Sequence, residues 1–412
     1  METENAGKNK TLPDLICLSH LRWNFVWQRP HHLLSRFARN QRVFFVEEPI
    51  VTDDPQPRLD IQKHESGVTV VVPLVPQTRW EAGDGEQILH ELFDTLFIDQ
   101  NIGEFFFWYY TPMAFEWTKH KNPLAIIYDC MDELSAFKNA PPNLLDREKQ
   151  IFEVADLVFT GGQSIFENKR DKHDRVFCFP SSIETEHFAQ ARSIREEPED
   201  QKNIAHPRLG FIGVIDERLD IDLVGKIAGL RPDWQFVMIG PVIKISEEDL
   251  PRAANIHYLG GKQYSELPKY LASWDVALLP FALNESTKYI SPTKTPEYLA
   301  AGLPVVSTPI KDVVRPYGEM GFVHIANTPE GFVQSCEEAM KEEHEERLRK
   351  VDEFLSQNSW DKTQRQMAEL VEEIIDARRM HDRAAHSAAA AANHDATEHL
   401  IEKVTPSHGR IS

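Results

Sequence analysis

Residues 284–310, NESTKYISPTKTPEYLAAGLPVVSTPI, carry the side chains best suited to hold a charged small molecule. The pattern predicts a short helix with Thr295 as its N-cap and Gly302 at its end, followed directly by a strand. Free N–H groups at the helix start and the ammonium of Lys294 would attract an anion such as phosphate. A carboxylate repels phosphate, so Glu297 is better suited to accept hydrogen bonds from two vicinal hydroxyls, such as those of a ribose. Alternatively, it could simply stabilise the helix start.

A second polar set, GFIGVIDERLD at 210–220, begins with a predicted buried strand. Gly213 would let the backbone approach a ligand closely, and Arg218 could neutralise phosphate or instead pair with Asp220 or Asp222. The glycines are spaced G-x-x-G, so the dinucleotide-binding pattern G-x-G-x-x-G is absent. Lys244, after the next strand, could reach the same anion or be an ordinary exposed lysine.

Carboxylates follow the apolar run LAIIYD, in the sequence YDCMDE at 128–133. Asp129 and Asp132 would lie beyond the carboxyl end of that strand, where either could take a proton from a hydroxyl without a metal ion. A structural role is the alternative, because aspartates often form turns and cap helices. His20, at the end of the first predicted strand, is the rival base because an imidazole titrates near neutral pH.

The loop after that first strand is rich in aromatic and amide side chains. Aromatic faces stack well on sugar rings, although two tryptophans four residues apart could equally belong to the core. No pair of aspartates or histidines has the spacing of a metal site, so we predict neither a metal nor a cofactor. The loop residues singled out as possible ligand contacts are Trp23, Trp27, Gln28 and Arg29.

Short apolar runs alternate with helical patterns from residue 14 to about residue 340. Several runs are apolar on successive residues, which is typical of strands covered on both faces. The alternation predicts an α/β fold with two doubly wound parallel sheets. The predicted strands are 14–19, 42–48, 68–73, 104–110, 124–129, 156–161 and 175–180, then 208–215, 235–240, 255–260, 275–281, 304–309 and 321–326.

The charged segment 189–206 has no apolar period, and we predict that it links the two units. The first unit would then span residues 11–188 and the second 207–345. Residues 346–382 have helical periodicity with one apolar face. From residue 383 to residue 412 the periodicity is lost, and this tail is predicted to be disordered.

The charge balance excludes some partners. With 45 basic and 65 acidic residues the net charge is −20, which argues against nucleic acid as a bulk electrostatic partner. The four cysteines lie far apart, as in a reducing compartment. The first ten residues are polar, unlike a secretion signal, and the apolar runs are far below the roughly 20 residues of a membrane helix. We therefore expect a cytoplasmic protein, with any membrane contact peripheral.

The segment SPTKTPEYLAAGLPVV at 291–306 resembles the donor-binding motif of GT-B glycosyltransferases of the family-4-like bacterial group. SHLRWNFVWQRPHHLLSRFARNQRVFFVEEP at 19–49 is similar to the first strand–loop–helix–strand unit of cell-envelope polysaccharide transferases in that group. The resemblance covers roughly residues 14–380. It implies two Rossmann-like domains facing a central cleft, with the C-terminal helices crossing back to the first domain.

The resemblance also implies roles for individual residues. In the first domain, which would bind the acceptor, Asp132 would be the base, with Asp129 and His20 as the other candidates. The loop residues Trp23, Trp27, Gln28 and Arg29 would contact the acceptor or take part in domain closure. In the second domain a nucleotide sugar, most simply a UDP-sugar, would be held by Gly213, Arg218, Lys244, Thr293, Lys294, Thr295 and Glu297.

The implied reaction transfers a sugar from a nucleotide-sugar donor to a glycan or lipid-linked acceptor in cell-envelope polysaccharide synthesis. Lys294, Arg218 and the helix dipole would neutralise the leaving diphosphate without a metal. Many family-4 enzymes have a second glutamate eight residues before the first. Tyr289 stands there in this chain, so inversion is at least as open as retention. Two other functions of the same fold remain open, a nucleotide-sugar epimerase and a non-catalytic sugar-nucleotide-binding protein.

Overall fold

The computed structural model describes residues 12–404, with side chains as far as residue 387. Within this range the strands form two sheets, and every predicted strand is present within a few residues of its expected bounds. The strands are β1 (Asp14–Ser19), β2 (Val43–Glu47), β3 (Ile50–Thr52), β4 (Arg58–Lys63), β5 (Thr69–Pro76), β6 (Phe105–Tyr109), β7 (Ile126–Cys130), β8 (Leu157–Thr160), β9 (Val176–Cys178), β10 (Arg208–Ile212), β11 (Gln235–Ile239), β12 (Ile256–Gly260), β13 (Val276–Leu279), β14 (Val305–Ser307) and β15 (Val323–Ile325).

Helices connect most of the parallel strands. They are α1 (Arg29–Phe37), α2 (Gln77–Glu81), α3 (Gly85–Asp99), α4 (Phe115–Thr118), α5 (Leu144–Val154), α6 (Gln163–Lys169), α7 (Thr185–Ala189), α8 (Ile221–Leu230), α9 (Leu267–Leu271), α10 (Lys294–Ala300), α11 (Lys311–Val313), α12 (Pro329–Ala339), α13 (His344–Leu355) and α14 (Trp360–Val404).

The first sheet has nine strands, ordered β3-β5-β2-β1-β6-β7-β8-β9, with β4 paired to β5. Its pairs are parallel except for β4 with β5, which is antiparallel. The second sheet is parallel in the order β12-β11-β10-β13-β14-β15. The predicted α/β class with two parallel sheets is confirmed. Strands β3 and β4 were not predicted, because β3 is only three residues long and largely exposed, and the polar residues of β4 interrupt any apolar run.

Each sheet is covered on both faces by apolar side chains, which is why its strands read as continuous apolar runs. On one face of the first sheet, Leu33 and Phe37 of α1 share a cluster with Met367, Val371 and Ile375 of α14. The first sheet's core therefore includes a helix that follows the second sheet in the chain.

The last helix differs from expectation at its end. Helix α14 continues to Val404, past residue 383 where the predicted disordered tail begins. The reason is local, since the run is rich in alanine, which has the highest helix propensity. Residues 405–412 of the predicted tail lie outside the described residues.

A buried ion pair fixes the carboxyl end of β7. The Arg29 Nε donates to Asp129 Oδ1 and Oδ2 at 3.2 and 3.0 Å, and its Nη1 donates to the carbonyl of Phe179 at 2.6 Å. Arg29 is 1% exposed and Asp129 is fully buried. The start of α1, the end of β7 and the segment after β9 are therefore joined at one point.

A second buried network lies on the other side of Asp132. The ammonium of Lys169 lies 2.8 Å from Glu133 Oε2 and 2.6 Å from Glu148 Oε1, and Tyr128 donates its hydroxyl to Glu148 at 2.9 Å. Because Asp129 and Glu133 are both held in the interior, the connection that carries Asp132 between them has little freedom.

We expect Arg29→Ala to lower the free energy of unfolding by roughly 3–5 kcal/mol, because it leaves the Asp129 carboxylate buried without a counter-charge. Arg39→Ala is the matched control, since this mostly exposed arginine pairs with Asp361 at the surface and should cost less than about 1 kcal/mol. Urea unfolding measures both. A loss for Arg29→Ala as small as that of the control would contradict the structural role.

Candidate active site

The predicted site residues lie beyond the carboxyl ends of parallel strands, where α/β sheets bind ligands. His20 follows β1 and Asp132 follows β7 in the first sheet. Gly213 follows β10 and Lys244 follows β11 in the second, and α10 comes after β13. The strand order places these ends near the middle of each sheet.

Charges from the two sheets meet in one cluster. Burial lowers the pKa of His20, the carboxylate of Asp132 opposes this shift, and the ammonium of Lys244 adds to it. Asp132 also acts electrostatically on Arg218 and Lys294 across the cleft. The Nδ1 of His20 is buried and has no hydrogen-bond partner among the described residues. A neutral imidazole and a carboxylate thus face three cations.

The side chain of Lys294 packs against the backbone at Gly213, where a larger residue would overlap it. A Cβ at Gly213 would overlap the Cε of Lys294, and a Cβ at Gly240 would overlap the carbonyl of Gly213. Gly213 also has φ 155°, which residues with side chains rarely adopt. Burial lowers the pKa of Lys294 and the charge of Arg218 adds to this, while nearby carboxylates oppose it.

Two more cations stand beside Lys294, each with its own carboxylate. Arg218 pairs with Asp216 at 2.6 Å, whereas Asp220, one of the partners suggested by the sequence, caps α8 by accepting from the N–H of Leu223 at 2.8 Å. Lys244 lies 3.5 Å from Glu217 and has φ 63°, an uncommon conformation outside glycine. The carboxylates Asp216 and Glu217 were missed in the sequence, although both immediately precede Arg218.

Helix α10 begins at Lys294, with Thr293 at its N-cap, instead of at the predicted Thr295 cap. Thr295 is fully buried, and its Oγ1 has no partner among the described residues. Since the helix is only seven residues long, we assign the positive character of this region to the side chains and not to the helix dipole. Burial raises the pKa of Glu297 to about 7, with the charge of Lys294 and a hydrogen bond from Thr293 opposing.

The aromatic loop divides into core and cleft residues. Trp23 is 3% exposed and packs on Phe45, so it belongs to the core, and Arg29 is held in the ion pair with Asp129. Trp27 and Gln28 line a small pocket together with Glu297. The loop therefore reaches the predicted donor side of the cleft.

Tyr264, which the sequence analysis did not single out, lines the same small pocket. Its ring lies 6.2 Å from that of Trp27, and its hydroxyl donates to Glu184 at 3.1 Å. Tyr289, in place of the family's first glutamate, packs against the core of the first sheet. An apolar contact between the units thus occupies the position where the family has a carboxylate.

One group of possible metal ligands occurs among the described residues, away from the cleft. It comprises His90, Asp94 and His120. The Asp94 Oδ1 already lies 2.7 Å from His120 Nε2 and 2.6 Å from the Lys121 ammonium. This arrangement is that of a surface ion-pair cluster.

Comparison with known proteins identifies the class. The family model of glycosyl transferases group 1 matches residues 206–342. The structure resembles a sucrose-phosphate synthase from Thermosynechococcus elongatus with a TM-score of 0.64 and 13% identity, covering 89% of this chain and 100% of that one. It also resembles Anabaena HepE, solved with UDP and glucose, with a TM-score of 0.59 and 11% identity over 87% of this chain and 99% of that one. The two units therefore form a GT-B fold.

A match in sequence also identifies a curated relative. TuaH of Bacillus subtilis (strain 168), whose name assigns it provisionally to teichuronic acid biosynthesis as a glycosyltransferase, is 25% identical over 247 residues, 55% of this chain. The match spans 61% of that protein's length. Residues 206–342 therefore form a group 1 glycosyltransferase domain within a GT-B fold, and the resemblance seen in the sequence is confirmed. Among residues 12–404, no helix combines the length and apolar composition needed to cross a bilayer.

The raised pKa of the half-buried Glu297 predicts a pH effect on stability. Its pKa of about 7 lies above the ordinary 4.5, so between these values the folded chain holds a proton that the unfolded chain releases. The stability contributed by this group therefore falls as pH rises through that window. Glu297→Gln should gain on the wild type as pH rises, by roughly 1–3 kcal/mol at pH 8, and match it near pH 4.5. Urea midpoints across this range, with the exposed Glu248→Gln as control, would detect it. A pH-independent difference would contradict the shifted pKa.

Proposed function

We propose that the protein transfers a sugar from a UDP-sugar to a glycan or lipid-linked acceptor of cell-envelope polysaccharide synthesis. The observation that carries the proposal is the cleft cluster in which Arg218, Lys244 and Lys294 of the second unit face His20 and Asp132 of the first. The cations suit a leaving diphosphate, and the two acceptor-side groups suit removal of a proton from a hydroxyl.

The donor would lie along the second unit. Glu297, half-buried at the start of α10, would accept hydrogen bonds from the two ribose hydroxyls. Lys294, threaded past Gly213, would bind the diphosphate, since among the described residues its ammonium has no carboxylate within 4 Å. Arg218 and Lys244 would supply the remaining positive charge.

The base in this proposal is His20 together with Asp132. His20 is neutral in the folded chain because burial lowers its pKa, and its unpaired Nδ1 could accept a proton. The carboxylate of Asp132 would then stabilise the imidazolium that forms. The proposal gives Asp129 no part in direct proton transfer, since it is fully buried against Arg29.

The acceptor class rests on two likenesses. The segment 19–49 is similar to cell-envelope polysaccharide transferases. The provisional assignment of TuaH to teichuronic acid biosynthesis points to the same kind of product. Peripheral membrane contact, expected if the acceptor is lipid-linked, and independence from metal ions both stay predictions.

Donor binding can be dissected with two ligands. Glu297→Ala should weaken UDP and uridine alike, by roughly 1–3 kcal/mol, because both carry the ribose. Lys294→Met should weaken UDP by a similar amount and leave uridine unchanged, because only UDP carries phosphate. Calorimetry, with competition for the weaker ligand, measures both. Equal UDP affinity in Glu297→Ala and wild type, with the fold intact, would refute the ribose assignment.

The base can be tested by a double-mutant cycle. Asp132→Asn and His20→Gln should each lower kcat by about 10²–10⁴-fold with little change in UDP affinity, and the double variant should cost hardly more than either. A variant that alone abolishes turnover would identify the single base. Full activity in both would instead indicate a mechanism without a general base, as retention allows.

The same assay separates the alternative functions. An epimerase would convert the donor with no acceptor present, and a binding protein would show UDP affinity without turnover on any acceptor. Transfer to an acceptor, with no change of the donor alone, supports the proposed reaction.

A further inference from the structure

Phe137 crosses from the first unit to the cations of the second. It lies in the connection between β7 and α5, just after the single turn Leu134–Ala136. The centre of its ring is 5.5 Å from the guanidinium carbon of Arg218 and 4.9 Å from the ammonium of Lys244. One aromatic ring thus contacts two of the three cations assigned to the phosphate end of the donor site.

The ring has a physical effect on these cations. Arg218 and Lys244 carry like charges, which repel each other. The negative face of an aromatic ring attracts a cation within about 6 Å, so Phe137 draws both towards one place. Asp216 and Glu217 hold the same two cations from within the second unit.

The connection that carries Phe137 is anchored to the first unit at Glu133. Glu133 accepts hydrogen bonds from Ser135 at 2.8 Å and from Asn168 at 2.8 Å, and it pairs with the buried Lys169. The ring is therefore presented from an anchored segment of the first unit. Its contacts with Arg218 and Lys244 depend on the present separation of the two units.

We propose that Phe137 is a positioning residue that holds Arg218 and Lys244 in place for the donor diphosphate. This inference rests on the proposed function for the identity of the donor. The contacts themselves predict an effect on any diphosphate, so inorganic pyrophosphate serves as a second probe.

Phe137→Leu keeps an apolar side chain but removes the aromatic face, whereas Phe137→Trp keeps and strengthens it. We expect Phe137→Leu to weaken UDP and pyrophosphate about threefold to tenfold and to leave uridine unchanged. Phe137→Trp should bind all three at least as well as the wild type. Phe97→Leu is the matched control and should change nothing, because the ring of Phe97 on α3 lies 4.5 Å from the ammonium of Lys121 and does not contact Arg218 or Lys244.

The outcomes distinguish the positioning role of Phe137 from the proposed identity of the donor. If the wild type binds pyrophosphate but not UDP, the proposed donor is wrong, and weaker pyrophosphate binding by Phe137→Leu still supports the positioning role. If Phe137→Leu binds pyrophosphate as well as or better than the wild type, the positioning role is wrong. A wild type that binds neither ligand overturns both.

Discussion

The ion pair between Arg29 and Asp129 is the constraint on which the first half of the site depends. Two fully charged groups lie in the interior, and their desolvation is offset only because each has its partner and Arg29 also reaches the carbonyl of Phe179. The pair joins three separate connections at the carboxyl edge of the first sheet. Asp132 and Phe137 are presented on the connection that starts from this point.

In the second unit's half of the site, by contrast, the charges are not all paired. There the charges are concentrated and only partly compensated: Lys294 lies half-buried beside Arg218, and desolvation raises the pKa of Glu297 to about 7. Such an arrangement costs stability in the folded chain, which is typical of sites where like charges are held ready for a ligand of opposite charge. A diphosphate would supply the negative charge that the cluster lacks.

The sequence predicted the elements better than the roles of single residues. Strands buried on both faces give continuous apolar runs, so thirteen of the fifteen described strands were predictable, while the half-exposed β3 and β4 were not. The helix after β13 and its Glu297 were found because a Lys–Thr–Pro–Glu start and a Gly–Leu–Pro end are local signals. Strand ends in a parallel sheet then limited where a site could be.

The role of a residue whose partner is distant in the chain could not be predicted from the sequence. Arg29 and Asp129 are 100 residues apart, and nothing local shows that they turn inward towards each other while Asp132 does not. Trp23 was assigned to the acceptor and lies in the core, because an aromatic residue in a loop has the same pattern in both roles. No sequence pattern indicated a role for Phe137, because the cations that it contacts lie across the cleft.

Several contacts between the two units are polar and can open. Besides Phe137, Asp312 of the second unit accepts from the N–H of Ser164 in the first at 3.0 Å, and Lys311 pairs with Glu167 beside them. Polar contacts of this type exchange readily for water, unlike the apolar packing of α14 on the first sheet. Because the proposed base comes from one unit and the diphosphate cations from the other, turnover would require these polar contacts to form for the reaction and to break for product release.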